Sequence, residues 1–247
     1  MPPTATPWSG EPGMGRDASG PRTISLHPLL LTASIGPALA VRDLTSGFQL
    51  AWQPVSDQTA APAAAVLQSL IDEHGPPMLL ESDNGSAFLS ETFAKVLAEH
   101  EIVWLASPAR MPWYNGSCEA GNGSMRTRTN HFASGTTGWT RRSLESARRQ
   151  ANELTRPQGH LGPTPSELWA GHRPISPEQR RPFHAAIERH RDEIIAAQNS
   201  FDPQNKNQQR QVHRQAVRQA LVELGLLTTT RRSISLPLKR KKGGKIC

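Results

Sequence analysis

Short apolar runs and longer amphipathic ones alternate along the middle of the chain. Arg22 to Leu31 and Ala38-Leu39-Ala40-Val41 read as strands, with Gly36-Pro37 turning between them. Thr45-Ser46-Gly47 marks the next turn, and Phe48-Gln49-Leu50-Ala51-Trp52 alternates as a half-buried strand does. Together these predict an antiparallel meander of three strands. A helix is predicted from about Thr59 to His74, with Val66, Leu67, Leu70 and Ile71 as its apolar stripe and Gly75 at the favoured stop. Pro62 is tolerated because it falls in the first turn. Met78 to Ser82 is the fourth strand, Ser90 caps a short helix carrying Phe93, Val96 and Leu97, and Ile102-Val103-Trp104-Leu105 is the fifth. A further helix starts near Gly116. This order predicts a mixed α/β layer architecture.

Beyond His131 the pattern becomes helical. Thr140 to Leu154 places Leu144, Ala147, Ala151 and Leu154 on one side, and Arg141/Arg148 and Arg142/Arg149 on the other. Gly159 to Pro174 is rich in proline and glycine. Ser176-Pro177-Glu178-Gln179 reads as a capping box opening a helix to about Ala197, interrupted at Pro182. Ser200 to Gln209 reads as a polar linker. The last helix carries Val217, Leu221 and Leu224 and stops at Gly225, and Leu227 to Leu238 reads as a short strand or hairpin. The expected organisation is a disordered start over 1–21, a core over 22–135, a helical extension over 136–199, and a linker, helix and basic segment over 200–247.

Composition narrows the function classes. With 247 residues the natural expectation is one core domain plus appendages. Two cysteines, Cys118 and Cys247, supply neither a disulfide framework nor a zinc ligand set, which points to a reducing cytoplasm. No stretch approaches the ~20 apolar residues of a membrane span. The net charge of +7 is unevenly placed: 231–247 holds Arg231, Arg232, Lys239, Arg240, Lys241, Lys242 and Lys245 and no acid, and the rest of the chain balances. Such a tail suits a polyanion such as nucleic acid, or is simply a solvated end.

The candidate chemistry lies in two acids. Leu79-Leu80-Glu81-Ser82-Asp83-Asn84-Gly85 runs from a buried strand straight into a turn, which leaves Asp83 at the strand's tip. Glu119 falls in the first turn of the helix starting near Gly116, with 35 residues between the two acids. Singly, Asp83 also reads as a turn cap and Glu119 as an acid favoured by the helix macrodipole. As a pair on different elements they suit Mg²⁺ or Mn²⁺, and two such ions can activate a hydroxyl nucleophile and stabilise the leaving oxygen of a phosphodiester.

Ser82-Asp83-Asn84-Gly85-Ser86-Ala87-Phe88, followed by Pro112-Trp113-Tyr114-Asn115-Gly116 leading to Glu119, resembles the integrase catalytic core shared by retroviral integrases and bacterial insertion-sequence transposases. Ala40-Val41-Arg42-Asp43-Leu44-Thr45-Ser46-Gly47 resembles that core's second strand and turn. Gly162-Pro163-Thr164-Pro165-Ser166-Glu167-Leu168-Trp169 resembles the segment after the core in bacterial members. The resemblance covers about residues 36 to 175. It implies a ribonuclease-H-like fold and an Asp, Asp, Glu triad holding two Mg²⁺, with Asp83 as the second acid and Glu119 as the third. The implied reaction is metal-dependent cleavage and strand transfer of DNA in integration and transposition. The implied partners are transposon ends and target DNA, in a homo-oligomer associated with the cytoplasmic nucleoid. Asn84 and Asn115 would orient substrate or acids. Arg126, seven residues after Glu119, and Arg128 would contact phosphates, as basic residues after the family's Glu do, or form a solvated face; from its charge alone the tail's Arg231, Arg232, Lys239, Arg240, Lys241 and Lys242 are further candidates for DNA binding.

The resemblance also exposes a gap. The family's first acid lies on the first strand, and Ser25-Leu26-His27-Pro28-Leu29-Leu30-Leu31 has no carboxylate. The only acids before Asp43 are Glu11 and Asp17, and Asp43 matches a non-catalytic position. The implication is an N-terminally truncated or degenerate copy, unless the first 21 residues supply the strand and Asp17 the acid. The alternative function is therefore a catalytically inactive DNA-binding remnant that modulates a full-length transposase.

Overall fold

The computed structural model describes residues 23–29, 37–108, 116–135 and 138–227, with backbone alone for 23–29 and 116–119. The elements in chain order are β1 (Thr23–Leu29), β2 (Ala38–Asp43), β3 (Gln49–Pro54), α1 (Ala60–His74), β4 (Leu79–Ser82), α2 (Glu91–Glu99), β5 (Val103–Ala106), α3 (Gly116–Phe132), α4 (Arg141–Glu153), α5 (Pro165–Ala170), α6 (Pro177–Ala196) and α7 (Lys206–Glu223). The sheet order is β3-β2-β1-β4-β5. β1, β2 and β3 form the expected antiparallel meander, while β4 runs parallel to both β1 and β5. A parallel neighbour requires a crossover, and α1 lies in the connection from β3 to β4. The consequence matters for the site: β1 and β4 end on the same edge of the sheet. Leu26 pairs with Ser82, so the residues that follow them are His27 and Asp83.

Period-2 alternation divides the strands between two faces. On one face Leu39, Val41, Ala51 and Leu80 pack against Ala63, Ala64, Leu67 and Ile71 of α1 and Phe93 and Leu97 of α2. The other face is shared. Ala38, Ala40 and Trp52 meet Met125 of α3 and Leu144, Ala147 and Ala151 of α4, whereas Leu79, Val103 and Leu105 meet α6 and α7 through residues such as Phe183, Ile187, Ala216 and Val217. The C-terminal helices thus complete the core over β4 and β5.

The helix ends follow local chemistry. Ser90 accepts from Phe93 N–H, and capping boxes start α4 at Thr140, α5 at Thr164 and α6 at Ser176. Gly75, with φ of 77°, stops α1 by donating to the Ile71 carbonyl.

Four expectations need correction. The strand expected from Phe48 begins at Gln49 and runs on to Pro54. Leu154 is 70% exposed, because α4 ends at Glu153 and the side chain lies past the packed stripe. α6 is not interrupted: it runs through Pro182, with Arg180 and Phe183 buried on either side. Arg180 holds the first turns to the core by donating to the carbonyls of Pro76, of Pro77 at 2.8 Å and of Glu101 at 3.3 Å. Finally, the 200–209 linker is shorter than expected, since Asn205 caps α7 by accepting from Asn207 and Gln208 N–H. The expected disordered start, the hairpin beyond Leu227 and the whole basic tail lie outside the described residues.

Candidate active site

Asp83 sits one residue past β4, half-buried, in a turn that its own side chain helps to build. Its Oδ1 accepts the Gly85 N–H at 2.8 Å. A Cβ at Gly85 would come within 2.9 Å of that oxygen, so a side chain there would crowd the Asp83 carboxylate. Asn84 ties the tip of β4 to its neighbour: its Nδ2 donates to the Ser107 carbonyl at 2.7 Å, just beyond β5. Ser107 returns the link, with N–H and Oγ both donating to the Ser82 carbonyl. Ser82 Oγ accepts from Trp104 Nε1 at 2.9 Å and donates to the Asp83 carbonyl at 2.9 Å. The backbone beneath Asp83 is therefore fixed from both sides, while the carboxylate itself remains partly open to solvent.

Glu119 lies in α3, as expected from the sequence, but its side chain lies outside the described residues, as does all of Asn115 and the basic tail from Arg231. Arg126 is exposed on α3. Arg128 is half-buried and tied down: it donates to Ser124 and, at 2.8 Å, to Thr155 Oγ1, which joins α3 to the chain leaving α4. Asp43 is buried, and its Oδ2 accepts Ser46 N–H at 2.6 Å and Ser46 Oγ at 2.5 Å, the bonds of a turn.

Two residues near the site were not singled out from the sequence. Arg42 shares a sheet face with Ala38 and Ala40, and its guanidinium reaches α3. A Cβ added at Gly121, two residues after Glu119, would meet Nη1, so the guanidinium in this position lies directly against the helix and a side chain there would displace it. Glu81 is the second. It is 1% exposed, its Oε2 has no hydrogen-bond partner among the described residues, and burial pushes its carboxyl up to about 8. The alternation carried a signal for it: Leu79 and Glu81 share a strand face, so a core-facing Leu79 takes Glu81 inward.

Asp83 offers oxygen donors that suit a hard divalent cation. Among the described residues no group of three or more His, Cys, Asp or Glu side chains is placed to hold a metal, and β1 contributes no carboxylate.

No protein-family model matches the chain, and no curated protein matches it in sequence. Solved structures do match. The catalytic core domain of BIV integrase aligns with a TM-score of 0.52 at 18% identity, covering 61% of this chain and 95% of that one. The HTLV-2 integrase catalytic core domain, in complex with magnesium in a trimeric form, gives 0.51 at 18% identity over 64% of this chain and 100% of that one. A chain of the simian T-cell lymphotropic virus intasome in complex with the PP2A regulatory subunit B56 gamma gives 0.54 at 19%, over 70% and 62%. The fold is therefore integrase-like: a small mixed sheet with flanking helices, as in integrase catalytic cores. No helix among the described residues is long and apolar enough to cross a membrane.

Proposed function

We propose that the chain is a DNA-processing protein of the transposase and integrase type, with a ribonuclease-H-like core acting on phosphodiesters. The observation that carries this reading is the placement of Asp83 at the tip of a strand parallel to the central β1, in a fold similar to integrase cores, with Glu119 on α3, the helix after β5. Asp83 and Glu119 would hold a divalent cation, which when bound supplies the Lewis acidity that activates a hydroxyl and steadies the leaving oxygen. The chain's own part is positional. Asn84 and Ser107 brace the tip on which Asp83 stands, and the Arg42 guanidinium lies against the helix bearing Glu119 at Gly121. Arg126 and the tail bases would bind phosphates. DNA ends and target DNA are the proposed substrates, and assembly into a homo-oligomer is proposed from the dimeric and trimeric forms of the HTLV-2 core.

One observation favours a second reading. β1 pairs with β4 beside the site and carries no Asp or Glu. A site short of one acid supports binding without turnover, as in an inactive remnant that modulates a full-length transposase. Strand transfer measured with Mn²⁺ separates the two. Activity in the intact chain that is lost in Asp83→Ala supports the enzyme; equal inertness of both rejects it in favour of the binding protein.

A further inference from the structure

The two sides of the sheet differ in charge. α1 and α2 carry four acids, Asp72, Glu73, Glu91 and Glu99, and one base, Lys95. From 120 to 170, which covers most of α3 and all of α4 and α5, it carries seven arginines and three acids. Since α1 and α2 cover one face and α3 and α4 the other, the molecule is polar across its sheet.

The arginines on the basic side are only partly used by the fold. Arg126, Arg141 and Arg142 are exposed and have no acidic partner among the described residues. Arg149 is exposed and meets Glu153 only at 3.7 Å. Arg148, by contrast, is bound to Glu145 at 2.8 Å and to the Gln49 carbonyl at 3.2 Å. Folding also disfavours two of the free cations where they stand. Arg141 and Arg142 occupy the first turn of α4, which holds no acid, so their charge opposes the positive end of the helix. Their free charge and their place are unfavourable for the isolated chain and favourable for one facing a polyanion.

We infer that the outer surface of α4 docks the sugar-phosphate backbone of duplex DNA, while the α1–α2 side faces away. This rests on the DNA-processing reading above and names the surface that serves it. The dimensions agree: a 13-residue helix is about 20 Å long, the length of about six base-pair steps at 3.4 Å. Phosphate contacts of this kind position DNA without reading its sequence.

The test measures affinity of the full chain for a duplex of arbitrary sequence by fluorescence anisotropy, between 50 and 300 mM salt. Arg141→Gln/Arg142→Gln/Arg149→Gln should flatten the plot of log affinity against log salt by up to about 2.7, at ~0.9 per phosphate contact. Glu91→Gln/Glu99→Gln on α2 should leave the slope unchanged, and the basic tail is common to all variants. Were the triple variant to melt early, Arg142→Gln/Arg149→Gln alone carries the test, with a change of up to about 1.8. Wild-type binding with an unaltered slope in these α4 variants overturns the docking surface and leaves the DNA reading standing. Failure of the wild type to bind duplex at 50 mM salt overturns both.

Discussion

The body of β4 and its tip each carry a carboxylate, and the two meet opposite surroundings. Glu81 points into the packed interior, where its Oε2 has no partner among the described residues and burial favours the neutral acid. Asp83, two residues on, stands past the last sheet pair, with one oxygen bonded to Gly85 N–H and the side chain half open. Chemically the groups differ by one methylene. What separates them is that the strand ends between them. A tip position leaves a carboxylate available to a cation, whereas the strand interior takes that ability away.

The largest expected effect of this contrast is on stability against pH. The native state holds a proton on Glu81 that the unfolded chain releases above its ordinary value near 4.5. Stability contributed by this group is complete below that value and is lost as pH rises towards about 8. At about 1.4 kcal/mol per pKa unit the loss reaches up to about 5 kcal/mol. Urea unfolding at a series of pH values should show the decline, and Glu81→Leu should abolish it and be the more stable protein at pH 8.

A second interior polar group shows what satisfaction is worth. Trp52 Nε1 donates to Thr129 Oγ1 at 2.9 Å, in a pocket where both residues are buried. Thr129→Val keeps the shape and orphans the indole N–H, which should lower stability by about 1–3 kcal/mol in the same unfolding experiment. A change near zero would mean that the interior tolerates unpaired polar groups, and Glu81 would then lose its special status.

At the tip the expected effect is smallest. Asp83→Asn keeps an oxygen for the Gly85 N–H, so its unfolding midpoint should stay within about 0.5 kcal/mol of the wild type. A larger loss would make Asp83 a structural turn residue first.

Much of this fold was legible because its signals are local. Alternation marks the three-stranded meander, Gly75 stops α1, and Ser-x-x-Gln and its analogues open helices whether or not the rest of the chain is known. Asp83 was legible for the same reason, as an acid between an apolar strand and an Asn-Gly turn. What escaped was tertiary. Pro182 signals a break, but burial of Arg180 and Phe183 on both sides keeps α6 whole. Leu154 fits the stripe of α4 by spacing, yet the helix has ended. Glu81 is sealed from solvent only when the neighbouring strands and helices close over it, and the reach of Arg42 to α3 shows only once Gly121, 79 positions away, is beside it.

The central claim is that the tip acid, together with Glu119, binds a divalent cation and the interior acid does not. Calorimetric titration of the full chain with Mn²⁺ tests it directly. One ion should bind the wild type and Glu81→Gln alike, and binding should vanish in Asp83→Asn and Glu119→Gln. Undiminished binding in Asp83→Asn would contradict it.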